Sequence, residues 1–510
     1  MQLTESFLLK EYQNIKKQAK KATQDNRFNK ALNLYKYAGK IAWEYPIIPQ
    51  FIDEDIEHDL KSITEKSCPA YKFTPDISHD RIVYYCSWLG DNGALVEQYL
   101  DYFASSEFNV LIIVPDKKET RMGPTIIQKI KSTKNVQLFI PKSKNILNKI
   151  NEIRVKIQLV KPYFAFQHFW PNDVIGFSIF CDLTMTKRFF INHGDHIYWF
   201  GKNCADYFIE YRKFGIALSV YRRGININNI LHIPFYPINN QSAFSGFHFD
   251  PKEKIIGIGG ANLYKYYLDK NLTYFKIIAD LLTKNKNFIF LLCGAGNPDK
   301  IIDMIKKADV ENRFFYLGKR KDYYSLIGKC NILFESYPFR GGLTMLFAIE
   351  QKIPVIGITS DYNSSGSIQD FLGISNYKEP INFKEFYYKA NLLIQSKKER
   401  NNLVEILSNN NYNKKAFTTS VDSLIKEDYH SLRYKNDDLS LHLIDEKCLQ
   451  DHLHLPDANL ASLFRKKLFI LKKHLSITER LKIVLLIVKN NQVKNFRNMI
   501  RLLLLGVIGR

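Results

Sequence analysis

The segment Phe334-Glu335-Ser336-Tyr337-Pro338-Phe339-Arg340-Gly341-Gly342-Leu343-Thr344 holds residue types and spacings suited to chemistry. An apolar run, Asn331-Ile332-Leu333-Phe334, ends in the acid Glu335. Pro338 and the pair Gly341-Gly342 then force a tight turn. An apolar helix through Ala348 follows, and Ile353-Pro354-Val355-Ile356 opens a further strand. Such a unit aims backbone N–H groups and a helix N-terminus at one point, which suits a phosphate or diphosphate. An ordinary αβ connection in a parallel sheet has the same pattern. Arg340 and Thr344 lie on the turn and could add a charge-assisted bond and a hydroxyl contact.

A second cluster, Asn192-His193-Gly194-Asp195-His196, follows the strand-like Arg188-Phe189-Phe190-Ile191. Two imidazoles and a carboxylate on a short turn could act as a general base towards a hydroxyl, Asp195 holding a ring in the useful tautomer. His193 is expected to be the base ahead of His196. The His-x-x-His spacing also suits a metal, but no third ligand is near, and no metal is expected. A polar turn whose imidazoles bond backbone groups remains open. Asp91, in Gly90-Asp91-Asn92-Gly93 after the first strand, is the rival base or part of a plain turn. Arg222-Arg223-Gly224 could meet an anionic acceptor or cap a helix.

The elements that must position these residues read as α/β. Residues 1–75 are expected to be mainly helical: Ala31, Leu32, Tyr35, Ala38 and Ile41 recur at helical spacing, with Pro46 as a stop. The Ala31–Tyr35–Ala38 spacing resembles one tetratricopeptide helix, but no second copy occurs. Over 76–245, strands at Arg81–Cys86, Asn109–Val114, Val136–Ile140 and Tyr163–Phe166 alternate with helices. The polar stretch Asn239–Pro251 reads as a linker. Over 246–430 a second series follows, with strands at Lys254–Ile258, Phe288–Leu292 and Arg313–Leu317. Two such series predict two Rossmann-like domains with a ligand cleft at the carboxyl ends of their strands.

Composition narrows the partners. The 510 residues carry a formal charge of +22, which favours an anionic partner: nucleic acid, an acidic lipid surface or a phosphorylated substrate. Seven cysteines, odd in number and without CxxC spacing, suggest neither a zinc site nor a disulfide framework and fit a reducing cytoplasm. Neither a secretory signal nor a run of about 18 apolar residues is evident. Within 431–510, residues 461–510 hold twelve Lys or Arg against one acid, Glu479, in short apolar and basic blocks. These suit helices lying on the anionic inner face of the cytoplasmic membrane, or a basic helical cap on the core.

The second αβ series resembles the donor-binding half of GT-B glycosyltransferases, particularly the O-GlcNAc transferase group and the bacterial adhesin N-glucosyltransferases. Glu335, Pro338, Gly341, Thr344 and Pro354 fall at matching spacing. Gly260-Ala261-Asn262-Leu263-Tyr264-Lys265 is similar to the family's Asn-x-Leu-Tyr-Lys segment, and Phe315-Tyr316-Leu317-Gly318 to its strand end beside the uracil. The resemblance implies a diphosphate contact at Lys265, helix-start contacts at Gly341, Gly342 and Thr344, and a base contact near Tyr316 and Gly318. It also implies an inverting, metal-independent hexosyltransferase that uses a nucleotide diphosphate sugar, preferably a UDP-sugar, and needs no cofactor. The family's ribose-binding acid is replaced by Phe347, so Glu350 or Glu335 is expected to take that contact. The expected acceptor is a saccharide or glycolipid of a bacterial cell surface, such as capsule or lipooligosaccharide, with a protein as the close alternative. Two rival readings remain. One is a metal-dependent transferase using Asp53-Glu54-Asp55; the other is a nucleic-acid-binding protein, against which the base-stacking modules are missing.

Overall fold

The computed structural model describes residues 5–434 except 45–47, 49–50, 75–78, 91–94, 117–121, 239–241, 360–366 and 375. Asp91 and the basic segment 461–510 therefore lie outside the described residues. The chain opens with three helices, α1 (Glu5–Gln24), α2 (Phe28–Glu44) and α3 (Glu54–Ser67). Asp53 caps α3, accepting from the Ile56 amide at 3.1 Å, and pairs with Lys16 at 2.6 Å. The Asp53-Glu54-Asp55 letters thus serve a helix start and a contact between helices.

The first sheet has seven parallel strands in the order β3-β2-β1-β4-β5-β6-β7. They are β1 (Arg81–Cys86), β2 (Asn109–Ile113), β3 (Val136–Phe139), β4 (Phe164–His168), β5 (Lys187–Ile191), β6 (Tyr207–Glu210) and β7 (Ile230–His232). Side chains along β1 alternate between two cores. Val83 and Tyr85 join a core shared with the N-terminal helices, whereas Ile82, Tyr84 and Cys86 join one that continues into the second domain. The α1–α3 unit is therefore part of the first domain's outer layer.

The second sheet has five parallel strands in the order β10-β9-β8-β11-β12. They are β8 (Ile255–Gly260), β9 (Phe288–Cys293), β10 (Phe314–Gly318), β11 (Ile332–Phe334) and β12 (Val355–Ile356). Both sheets are doubly wound, so each has a switch point where strand order reverses: β1/β4 in the first and β8/β11 in the second. In open α/β sheets ligands bind outside the carboxyl ends of such strands.

The chain then crosses back. Helices Lys414–Ile425 and Tyr429–Leu432 lie against the first sheet. Tyr102 donates to Asp422 at 2.6 Å, Tyr163 donates to Glu427 at 2.7 Å, and Phe417 packs edge-on against Tyr99 with centroids 5.0 Å apart. The helices Lys414–Ile425 and Tyr429–Leu432 therefore belong spatially to the first domain, although they follow the second in sequence.

Candidate active site

The second domain's switch point gathers three strand ends. β8 ends in Gly260, where a Cβ would overlap the Tyr323 hydroxyl unless that side chain moved, and the chain passes into Ala261-Asn262-Leu263. Beyond β9, Gly294 has φ +144°, and a Cβ there would run into the Ala261 carbonyl. The Leu263 amide donates to the Ala295 carbonyl at 2.9 Å, fixing the β8 loop on the β9 loop. That scaffold delivers Lys265, whose Nζ donates to the Arg340 carbonyl at 3.0 Å and lies 4.5 Å from the Phe339 ring centroid. A Cβ on Gly341 would be 3.7 Å from the same ammonium. Lys265 thus stands beside the Gly341–Thr344 turn, though 75 residues separate it from Arg340.

The turn leads into the helix Gly342–Glu350, whose N-cap Gly341 supplies no side-chain cap. Its first-turn amides retain the positive end of the helix dipole. Glu335, buried behind the turn, accepts from the Gly341 amide at 3.3 Å through Oε2, while Oε1 has no hydrogen-bond partner among the described residues. Burial pushes the Glu335 carboxyl up to about 7 against the pull of Arg340 and Lys265, and burial brings Lys265 down to about 8 against the pull of Glu335. Two oppositely charged groups are therefore poised near neutrality beside a helix start.

The other donor-side candidates divide. The Arg340 guanidinium is buried in an ion pair with Glu379 and lies 3.4 Å from the Thr359 hydroxyl. Glu379 also accepts from the Ile368 amide at 2.6 Å. Arg340 braces the loop behind the turn instead of projecting from it. Tyr316 donates to the carbonyls of Gly294 and Gly296 at 2.8 and 3.2 Å, and Gly318, at φ +62°, accepts from the Gly294 amide at 2.9 Å. Both shape the β9 loop. Glu350 is exposed at the far end of the helix Gly342–Glu350 and accepts from Tyr324 at 3.0 Å. Phe347, where the resemblance expects an acid, is buried edge-on against Tyr324.

Across the cleft, the turn after β5 carries the imidazoles. Asp195 is fully buried, and its carboxylate takes bonds from the Arg212 guanidinium and from His196 Nδ1 at 2.9 Å. Burial opposes its charge, but Arg212, the largest of the lowering influences, and His196 hold Asp195 well below the usual carboxylate range. An anionic Asp195 accepts from Nδ1–H, which leaves Nε2 of His196 as the acceptor a general base needs. His196 is about one-third exposed and meets Phe339 edge-on at 5.7 Å. The Phe339 ring is thus shared by His196 on one domain and Lys265 on the other.

His193 faces a different way. Its ring neighbours are Trp88 at 5.5 Å and His168 at 5.1 Å, and its Nδ1 has no partner among the described residues. Burial takes it down to about 4. The order of preference reverses: the ring with the orienting carboxylate is His196. Arg223 is fully buried, stacks at 4.7 Å on Trp199, and donates to the backbone carbonyls of Asp195 and Ile197 at 2.6 and 2.9 Å. Buried there, it holds the turn from inside.

Comparison with solved structures follows the same lines. A glycosyltransferase from Rickettsia africae aligns over 68% of this chain and 98% of its own, with a TM-score of 0.50 and 15% identity. The fold is that of the GT-B glycosyltransferases. An O-GlcNAc transferase from Thermobaculum terrenum aligns over 82% of both chains (TM-score 0.49, 12% identity), and Anabaena HepE in complex with UDP and glucose over 69% of this chain and all of its own (0.48, 14%). No protein-family model and no curated protein matches the sequence.

Within this GT-B cleft four residues escaped the sequence reading: Arg212, Glu379, Phe339 and Phe371. A Cβ on Gly342 would overlap the Phe371 ring, whose centroid lies 5.8 Å from the Arg212 guanidinium carbon. Phe371 therefore touches both the helix start and the group that holds Asp195. Arg212, Glu379 and Phe371 belong to no short motif, and Phe339 lies within the Phe334–Thr344 segment, where its ring was given no role. A strand-end Arg such as Arg212, two residues after the acid Glu210, was the sole hint.

Proposed function

We propose that the protein is a metal-independent glycosyltransferase moving a hexose from a nucleotide diphosphate sugar, UDP-sugar favoured, to a saccharide or glycolipid. The observation carrying this reading is the approach of both Lys265 and His196 to Phe339, at the mouths of two doubly wound sheets. An acceptor hydroxyl attacks the anomeric carbon and gives its proton to Nε2 of His196. The bond from that carbon to the diphosphate oxygen breaks, and its electron pair leaves with the nucleotide. Lys265, the Gly342 amide and the Thr344 hydroxyl carry the charge that develops there, while the Gly341 amide stays on Glu335. A fixed cation and a helix start supply what a divalent ion supplies in other transferases. Attack opposite the leaving group inverts the anomeric centre. Glu350 or Glu335 takes the ribose hydroxyls.

Thermal shifts with UDP-, GDP-, CMP- and dTDP-sugars test the donor. At a hundredfold excess over Kd a bound donor adds about 2.7 kcal/mol of stability. The shift should be largest for a UDP-sugar and collapse in Lys265→Ala. Turnover in excess EDTA should be undiminished, and NMR of the first-formed product should show inversion. Peripheral attachment through 461–510 is part of the proposal, and among the described residues no helix is long and apolar enough to cross a membrane. Co-sedimentation with phosphatidylglycerol vesicles, reduced by deleting that segment, tests it. A protein acceptor stays as the alternative, read out by transfer to polypeptide.

A further inference from the structure

Three of the chain's four tryptophans, each only partly buried, meet at the first domain's switch point. Trp88 and Trp170 each lie two residues beyond a paired position, Cys86 on β1 and His168 on β4, so adjacent strands deliver them side by side. Their ring centroids are 6.3 Å apart. Trp43, from α2, meets Trp170 edge-on at 4.9 Å. His193 lies against Trp88 in turn, at 5.5 Å, with its Nδ1 enclosed and without a partner among the described residues.

The row is anchored from behind. Asn172 donates to the Lys36 carbonyl of α2 at 3.0 Å, Asp173 accepts from Tyr85 at 2.7 Å, and the Phe200 amide donates to the Pro171 carbonyl at 3.0 Å. These bonds fix the turn that carries Trp170, so the indoles are held in place while open to solvent. Clustered, immobilised and half-exposed indoles mark a binding surface.

We infer that Trp43, Trp88, Trp170 and His193 form the acceptor subsite and that its ligand is a saccharide, bound by pyranose rings lying on the indole faces. Resting on the transferase reading, this deepens it by naming the acceptor class. The C–H bonds of a pyranose face are polarised towards positive by the ring oxygens and match the negative face of an indole. The line runs from the N-terminal helices to the turn that holds His196, so a sugar on Trp88 presents its end to the base. A lipid tail would need an enclosed apolar tunnel in place of an open row.

The test uses the full chain on an array of immobilised oligosaccharides, with and without UDP, beside an array of Ser-, Thr- and Asn-containing peptides. Saccharide binding should appear, quench or protect tryptophan fluorescence, and fall at least tenfold in Trp170→Ala and Trp43→Ala. UDP-induced thermal stabilisation measured on the same proteins reports an intact donor half. Trp170→Phe, which keeps a flat face, should recover part of the affinity. Retained UDP binding with no saccharide bound, or with saccharide binding indifferent to both alanine variants, overturns the subsite and leaves the transferase reading standing. Peptide binding in place of saccharide overturns it in favour of a protein acceptor. Absence of any nucleotide effect overturns both.

Discussion

At the scale of single residues, His196 and His193 differ in what holds them. His196 has a buried carboxylate on Nδ1, and that carboxylate is kept ionised by Arg212. His193 has aromatic neighbours and a depressed pKa of about 4. His196→Ala should therefore lower kcat by about 10²- to 10⁴-fold, the usual worth of a general base, with donor affinity kept. His193→Ala should act mainly on acceptor KM. Steady-state kinetics on the two variants separate them, and a larger kcat loss in His193→Ala would return the base to that ring. Lys265 gives a second prediction. Its folded pKa, about 8, lies below the unfolded value near 10.5. The stability it adds as a neutral amine is present above 10.5 and lost as pH falls through about 8, so at neutral pH the empty site carries a poorly solvated ammonium. A diphosphate relieves that cost. Donor binding should take up protons between pH 7 and 9 and weaken as pH rises through about 8. Calorimetry in buffers of different ionisation enthalpy measures the uptake, and Lys265→Met should abolish it. Where these residues go was only half legible. The meeting of Lys265 with Gly341 follows from adjacent parallel strands, β8 and β11, whose ends must lie together. The direction of Arg340 depends on Glu379, 39 residues on, and no local pattern announces that partner.

At the scale of elements, long apolar strands were readable, and short ones only where a turn signal marks them, as at β11 and β12. β1, β2, β8 and β9 are runs of five or six residues with apolar side chains on both faces, the mark of a buried parallel sheet. β6 and β7, of four and three residues, carry too little pattern to stand out. Yet β6 delivers Glu210 and, just beyond it, Arg212, so overlooking β6 meant overlooking the residue that ionises Asp195. The loops after β8 and β9 make the element-scale prediction. Gly294→Ala places a methyl on the Ala261 carbonyl at a φ that side chains rarely adopt. The φ fault lies in the β9 loop and the clash presses on Ala261 in the β8 loop that carries Lys265, so the variant should lose UDP-induced stabilisation while the first domain stays folded. Far-UV circular dichroism with thermal shift reads both. Unchanged UDP binding would show that the β9 loop does not position Lys265.

At the scale of the molecule, the two GT-B halves are held together by the returning C-terminal helices, and the quality of that contact decides whether the two half-sites share Phe339. The polar links are exposed enough to count for little: Lys187 and Glu427 are each about one-third accessible, and such pairs are worth at most about 1 kcal/mol. The apolar link is different. Phe417 is 1% exposed and packs on Tyr99 and Tyr236, with centroids 5.0 and 5.4 Å away. Removing a buried phenyl ring costs about 3–5 kcal/mol. Here the cost falls on the junction, because Phe417 and its neighbours belong to one core continuous across both sheets. Phe417→Ala should thus split thermal unfolding into two calorimetric transitions. UDP should still raise the transition of the second domain, since Lys265 and the Gly341–Thr344 turn lie wholly within it. Transfer to acceptor should fall further than donor binding does, because His196 approaches Phe339 only when the halves are docked. A single transition with donor binding and transfer reduced in parallel would mean that the helix Lys414–Ile425 does not set the docking, and that contacts at the cleft, such as Arg212 on Phe371, do so by themselves.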